Sequence, residues 1–387
     1  MGGKVSGVNP RVLSWARERA GLSVEDVAAR LKKDPSLVEA WERGDEGQSP
    51  TYVQLEKLSY ELYNRPVAVF FFPEPPEEPE AKGEFRLIPE AELDALSPET
   101  LLAVRHARAS QESLRELSGG HNPASARIVG EIDARRFKTL ESLCSRVRNR
   151  LGISLVTQMS WDSLDTAFKE WRTAVETAGV FVFKRAFRDD DVSGFCLFDP
   201  TFPVIFINNS TSPSRQIFTL FHELAHLLYH ASGVTLGSDS YIRSLPKDDR
   251  SVEVLCNRFA GAFLVPDADF DRRAGGRGAT DIEVSELASL YNVSRETILR
   301  KFLDRRVVTQ AQYEERREGW NSDWRKRREE SSGGDYYRTQ KAYLSETYTR
   351  LAFNGYYDGR LTVEQLSDYL GMKARNVPTF ETYLTAV

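Results

Sequence analysis

Cysteine is scarce in this chain. The three residues, Cys144, Cys196 and Cys256, are far apart and odd in number. They exclude a disulfide framework and any C-x-x-C ligand pair, and they suit a reducing cytoplasm. Long apolar runs are missing as well. The longest, Val67-Ala-Val-Phe-Phe-Phe72, is far too short to span a bilayer. The opening MGGKVSGVNP has no apolar core of the kind a secretory signal needs. A cytoplasmic protein without a membrane partner is therefore expected. Positive charge is not in excess either: the net charge is −5, so there is no chain-wide nucleic-acid footprint. Histidine is rarer still than most polar residues, with five in 387 positions.

Against that scarcity, three of the five histidines fall together in residues 217–230, IFTLFHELAHLLYH. His222-Glu223-Leu224-Ala225-His226 reads H-E-x-x-H, and Ile217, Phe218, Leu220, Phe221, Leu224, Leu227 and Leu228 around it are apolar. A helix turns about 100° per residue, so positions i and i+4 share a face. His222 and His226 then project two imidazoles to one side, close enough to share a Zn²⁺. Glu223, one position along, reaches a water on the metal without ligating it. Two neutral nitrogens, a carboxylate base and an open position for water are what metal-assisted hydrolysis needs. The rival reading is a set of core polar groups that satisfy one another. An apolar helix is a costly place for three polar side chains, and one metal supplies a partner for all of them.

The rest of the chain reads in segments. Arg11 to Ala20, Ser23 to Leu31, Pro35 to Arg43 and Tyr52 to about Leu62 are expected as four short helices. Ser23 and Asp26 cap the second, Gly21 and Gly44 interrupt, and Leu22, Val27, Ala28, Leu31, Leu37, Val38 and Trp41 face inward. That rhythm suggests a helix-turn-helix domain. Residues 1–66 hold ten Lys/Arg and ten Asp/Glu. Phosphate contacts must then come from a local patch, Lys32-Lys33 with Arg43. The third helix offers Ser36 and Glu39 and no Arg, Asn or Gln at its N-terminal end. DNA binding and protein docking both stay open for this domain. PEPPEEPE, residues 73–80, is a linker. Helices are expected over Ser97–Leu117, Ala126–Leu151 and Ser160–Ala178, and strands over 180–183, 195–198 and 202–208. Pro203 suits a sheet edge or the start of a strand. Residues 231–250 read as a loop flanking a cleft, and a helix begins at Ser251 and ends before Pro266, with Asp267–Asp269 as loop. Residues 282–302 again have a helix-turn-helix rhythm, turning at Asn292-Val293-Ser294. Residues 314–330 mix charges with Trp320 and Trp324. They read as a solvated helix face, with stacking on nucleic acid as the alternative. After the linker 331–334 the end is helical, with tyrosines and Phe353 forming a small core.

Catalytic zinc sites normally take three protein ligands. His230 lies on the same helix, but its face has drifted about 80° from His222. It reads as a supporting group, a substrate-facing group or a helix end. Glu253 is the better candidate, with Asn257 on the same face to accept from the outer N–H of a ligand imidazole. The alternative for Glu253 is a charge at a helix N-terminus, which needs no metal.

HELAHLLYH followed by E-x-x-x-N-x-F-A and L-x-P resembles the ImmA/IrrE metallopeptidases. VIFIN and RQIFTL upstream fit the same family. More distantly, E-x-x-x-N-x-F resembles the thermolysin-like gluzincins, which have Asp where this chain has Asn257. Many relatives have Glu-Ala at Leu255-Cys256, a position outside the ligand set. The resemblance implies His222, His226 and Glu253 as Zn²⁺ ligands and Glu223 as the base. LSVEDVAARLKKDPSLVEAWERG is similar to the repressor-like helix-turn-helix family, a frequent fusion partner. The implied substrate is a protein, typically a DNA-bound repressor. His₂-carboxylate sites also accept Mn²⁺ or Fe²⁺. His230 and Tyr229 are weak oxyanion donors, and strand 204–208 is a candidate to hold substrate backbone.

The expected fold class is α+β. An all-helical helix-turn-helix domain occupies residues 1–66, and a linker with a connecting helix 67–123. A gluzincin-like metallopeptidase domain with a small sheet occupies 124–270, a three-helix module 271–320, and a helical module 321–387. The expected function is a zinc endopeptidase and transcriptional regulator whose partners are a protein substrate and, through residues 1–66, DNA. The alternative is a non-proteolytic regulator or antitoxin that docks a partner encoded beside it.

Overall fold

The computed structural model describes residues 3–63, 65–76, 97–187, 189, 192–231, 233–236, 247–330 and 334–385. Residues 77–80 of the Pro/Glu linker, 232 and 237–246 of the expected loop and 331–333 of the Ser/Gly linker lie outside them. The described residues fall into two compact units, one of 3–76 and 97–106, the other of 107–385.

In the first unit, α1 (Pro10–Arg19), α2 (Val24–Leu31), α3 (Pro35–Arg43) and α4 (Tyr52–Lys57) follow the caps read from the sequence. Ser23 and Asp26 form a reciprocal capping box at α2. Gly44 closes α3 with φ 74°, and a Cβ there would lie 2.9 Å from Pro10. α4 runs into a π-helical turn, Leu58–Tyr63. Val12, Leu13, Val27, Val38, Trp41, Leu55 and Phe70 form the core. These short amphipathic helices have no partner for their apolar stripes except one another.

The second unit is α+β. Its sheet has four strands, β1 (Phe181–Arg185), β2 (Val192–Leu197), β3 (Val204–Asn208) and β4 (Gly233–Leu236), in the order β1-β3-β2-β4. β1 runs parallel to β3, and the other pairs are antiparallel. Two expectations fail here. Residues 233–236 are a strand, although Gly, Ser and Asp around them read as loop. And β3 is an inner strand, hydrogen-bonded on both sides, so residues 204–208 have no edge left for a substrate backbone. Pro203 precedes that strand and costs no ladder bond. Asn208 at its end donates to the carbonyls of Asp189 and Val192 at 2.9 and 2.7 Å and accepts from the Ser210 amide at 2.9 Å, tying down the β1–β2 connection.

The helices pack on this sheet. α5 (Pro98–Leu117) matches the expected connecting helix. The expected long helix 126–151 is broken instead. Asp133 accepts from the Arg135 amide at 3.1 Å and Thr139 caps α6 (Leu140–Leu151), two side chains that stop and restart the chain. α7 (Leu164–Thr177) is capped by Ser163. α8 (Pro213–Leu228) carries the H-E-x-x-H residues, and α9 (Lys247–Leu264) carries Glu253. Asp267–Asp269, expected as loop, begin α10 (Asp267–Ala274), a new helix that starts after Pro266 and buries Phe270. α11 (Asp281–Tyr291) and α12 (Arg295–Asp304) flank an Asn292 at φ 55°. α13 (Gln310–Glu330) follows. One apolar core runs from Ile128 through Phe221 and Phe263 to Ile298, Phe302 and Tyr313. α14 (Tyr336–Tyr343) packs against β1. Arg172 on α7 donates to Ala342 O at 2.9 Å, and Glu176 accepts from the Thr347 amide at 3.0 Å.

The approach of α8 to β2 is close. A Cβ on Gly194 would fall 2.5 Å from Thr219 Cγ2 and 2.8 Å from Phe206 O. Arg215 Nε also donates to Ser193 Oγ at 2.8 Å. Gly194→Ala should therefore push α8 off the sheet. It should cost about 1–3 kcal/mol of unfolding free energy and lower metal occupancy, both checked by urea unfolding and elemental analysis. Unchanged stability and occupancy would show that the contact does not set the helix position.

Candidate metal centre

α8 begins at Ser212, whose hydroxyl accepts from the Arg215 amide, with Pro213 at the first helical position. Along it Ile217, Leu220, Phe221, Leu224, Leu227 and Leu228 are fully buried. His222, Glu223 and His226 are also fully buried, at 0% exposure each. A helix with this much apolar surface goes to the middle of the core, and its three polar side chains go with it. α9 crosses beside α8. It begins at Lys247, one turn earlier than Ser251. Glu253 is thus nearly two turns inside the helix, beyond the first turn where a helix N-terminus favours a carboxylate. The rival account of Glu253 loses its basis.

The side chains converge. His222 Nε2 lies 3.3 Å from Glu253 Oε2, and His226 Nε2 lies 3.0 Å from Glu253 Oε1. The two Nε2 atoms are 3.0 Å apart. Zn–N bonds of about 2.0–2.1 Å at tetrahedral angles would set ligand atoms about 3.3 Å from one another. The two imidazole nitrogens lie near that spacing, and each faces a different oxygen of Glu253 at a similar distance. These three residues can hold a metal ion. Asn257 Oδ1 sits 3.1 Å from His222 Nδ1. With the amide oxygen accepting, Nδ1 carries the proton and Nε2 turns a lone pair toward Glu253 and His226. Lone pairs from two imidazoles and a carboxylate in a buried space repel unless a cation or a proton lies among them. The donor set fits a divalent metal. His226 Nδ1 is buried with no hydrogen-bond partner among the described residues.

The electrostatics agree with the geometry. Burial pushes the Glu253 carboxyl up, but positive charge at His226 and then at His222 outweighs it and holds the group well below the ordinary carboxylate range, a charge that a metal ion would supply in place of the imidazole protons. It remains an anion, as a ligand must. The Cys256 thiol is pushed far up by burial, and next by the Glu253 and Glu223 carboxylates. That double influence places Cys256 beside both acids and keeps it protonated and inert. No feature of the sequence marked this residue.

His230 does not join the centre. It is exposed past the end of α8 at φ 59°, with Nδ1 3.2 Å from Arg135 Nη2 and its ring 5.2 Å from Phe198. Of the three readings open for it, the helix-end one describes its position. Tyr229 is half-buried, and burial raises its phenol.

The metal site makes a quantitative expectation. Purified protein should carry about one divalent ion per chain, and His222→Ala or His226→Ala should abolish it. Glu253→Gln should weaken binding strongly, and Asn257→Ala by about 10–100-fold. Elemental analysis and competitive chelation measure both. Full occupancy in either histidine variant would remove the site.

Residues 175–303 match the family described as the IrrE N-terminal-like domain, a peptidase family designated M78. Two curated relatives are similar over part of their length. One is the radiation response metalloprotease IrrE of Deinococcus radiodurans, 33% identical over 115 residues, covering 26% of this chain and 33% of the relative. The other is the radiation response metalloprotease IrrE of Deinococcus deserti, 33% identical over 114 residues, covering 28% of this chain and 38% of the relative. The match thus spans little more than a third of these relatives. Among solved structures, a Mycobacterium tuberculosis transcriptional regulator aligns over 50% of this chain and 51% of its own, at 19% identity and a TM-score of 0.30. That likeness is too low to bear on the fold. The matched stretch contains α8 and α9, the two helices that bring His222, His226 and Glu253 together, and it is this stretch that is similar to the IrrE N-terminal-like peptidase domain and to the IrrE metalloproteases.

Proposed function

We propose that the chain is a cytoplasmic zinc endopeptidase that cleaves a specific regulatory protein, such as a DNA-bound repressor. The observation that carries this reading is the convergence of the His222, His226 and Glu253 ligand atoms in a buried space, with Glu223 on the same helix as the two histidines. A Zn²⁺ held there supplies Lewis-acid polarisation of the scissile carbonyl and makes water a better nucleophile at neutral pH. Glu223 takes the proton of the attacking water and delivers it to the leaving amine. Asn257 holds the His222 imidazole in its ligating tautomer. The substrate backbone adds to the outer edge of β4, to which no strand is paired among the described residues.

For residues 1–66 we propose a repressor-like helix-turn-helix domain, whose core Phe70 completes. A specific observation favours the rival reading, that it docks protein in place of DNA. On the exposed face of α3, Arg43 is tied to Glu39 at 3.3 Å and to Asp45 at 3.0 Å. Arg17 is tied to Glu42 at 2.8 Å and Arg30 to Glu99. Of the Lys32-Lys33-Arg43 patch only the two lysines make no ion pair among the described residues, and two lysines give little counterion release. The domain should show DNA affinity no stronger than non-specific at physiological salt, measured by titration of its own upstream DNA at several salt concentrations. A specific footprint with a steep salt slope would restore the DNA-reading role.

Glu223→Gln separates enzyme from binder. The change is nearly isosteric and removes the base but no ligand. Metal content and fold should persist while cleavage falls by about 10²–10⁴-fold. Co-expression of wild type and Glu223→Gln with each neighbouring regulator should give cleavage by the first and capture by the second. Equal binding by both, with cleavage by neither, would make the protein a non-proteolytic regulator or antitoxin.

A further inference from the structure

Beside the metal centre, within the second unit, lies a groove of about 1520 Å³, larger than the usual site for a small molecule. None of the converging metal ligands lines it; it meets the centre through Asn257. One wall is built from the start of α8 and one face of α9, and the other from α11, α12 and α13. Seven cationic and five carboxylate side chains line it. This excess of positive charge runs against a chain whose net charge is −5.

The cations differ in what they face. Asp267 holds Lys301 at 3.0 Å and Arg305 at 2.8 Å, and Asp304 holds Arg300 at 3.1 Å. Arg258 and Arg295 make no ion pair among the described residues. Arg215 spends its Nε on Ser193. Arg295 lies over the Trp320 ring at 4.6 Å, and Arg316 lies over the same ring at 5.3 Å. The first turns of α7, α8 and α12 also open on the groove and add partial positive charge to it. Val254, 41% exposed, and Trp324 give it apolar footholds.

We propose that this groove is a binding site, separate from the metal centre, for an acidic, partly apolar segment of a polypeptide. Arg258 and Arg295 take its carboxylates, and Val254 and Trp324 its apolar side chains. A nucleic acid fits less well. Trp320 is already engaged by two guanidiniums, and the lining carboxylates, Glu314 and Asp162 among them, oppose a backbone charged at every unit. The choice of a polypeptide rests on the peptidase reading, and the segment would belong to the protein being cut, at a distance from the bond that breaks.

Binding is measured without cleavage, on full-length Glu223→Gln protein with its metal content verified. The probes are a fluorescent twelve-residue peptide of Glu, Leu, Gly and Ser, its Gln-for-Glu counterpart, and a twelve-nucleotide oligothymidine. The acidic peptide should bind about tenfold tighter than the Gln peptide, as two or three partly exposed charge contacts allow. Its affinity should fall as salt rises. Arg258→Glu and Arg295→Glu should each remove the preference without altering metal content or the unfolding curve. Equal binding of the Glu and Gln peptides, or a preference untouched by both variants, would overturn the site. Tighter binding of the oligothymidine would overturn the choice of a polypeptide. A protein that never cleaves but keeps the Arg258- and Arg295-dependent preference would refute the peptidase reading and leave the groove standing.

Discussion

Four polar side chains buried between two apolar helices set the terms for the rest of the second unit. His222, Glu223 and His226 are fully enclosed, and Glu253 is 9% exposed. Burying ionisable groups is costly unless each is paired. Here the cost is offset within the group: the imidazoles hold Glu253 as an anion, Asn257 fixes His222, and the remaining lone pairs suit a cation. Such compensation works only at hydrogen-bonding distance, so α8 and α9 have to be held to within a few tenths of an ångström. The aromatic packing around Phe221 and Phe263, with ring centroids 4.3 Å apart, and the bare Cα of Gly194 under Thr219 provide that constraint.

From this follows the division of the sheet. β3 and β2 serve as the floor on which α8 rests, and both are fully buried. Strands used as a floor are paired on both sides and cannot also receive a substrate. The edges carry the remaining possibilities, and the C-terminal helices pack near β1, held by Arg172 and Glu176 of α7 and by the Phe183–Tyr348 ring contact on a face of the sheet. The segment beyond 334, whose chemistry is unreadable in the sequence, thus has a structural task on the β1 side. The helices after 280 share the core of the metal domain through Ile298, Phe302 and Tyr313. Their outer surfaces then form a groove wall, which gives Trp320 and its neighbouring arginines a role that a solvated helix face would not have.

The first unit obeys simpler rules. Its caps, its glycine stops and its apolar stripes are local features, and the helices follow them closely. Its surface charge is a different matter. Ten cations and ten anions can leave a basic face or none, depending on which pairs meet. Glu39, Glu42, Asp45 and Glu99 meet the arginines, and that outcome weakens the case for DNA more than composition alone did.

By itself, the sequence determined what depends on spacing along the chain. H-E-x-x-H puts two imidazoles on one face because a helix has a fixed period. Ser23, Ser163, Ser212 and Ser294 cap helices because a hydroxyl reaches an amide only a few residues away. The ligand trio was legible because two amphipathic helices, each with polar residues at helical spacing on an apolar face, can bury them only against one another. Tertiary structure decided what depends on pairing between distant segments. Nothing local tells an inner strand from an edge strand, so β3 lost its expected role and residues 233–236 gained a strand by pairing with β2. Glu253 moved from a helix start to a helix interior because packing on α8 extends α9 by a turn. Cys256 came to lie beside two carboxylates, and the excess of cations in one groove emerged, because charges separated in sequence are added up only when the chain folds.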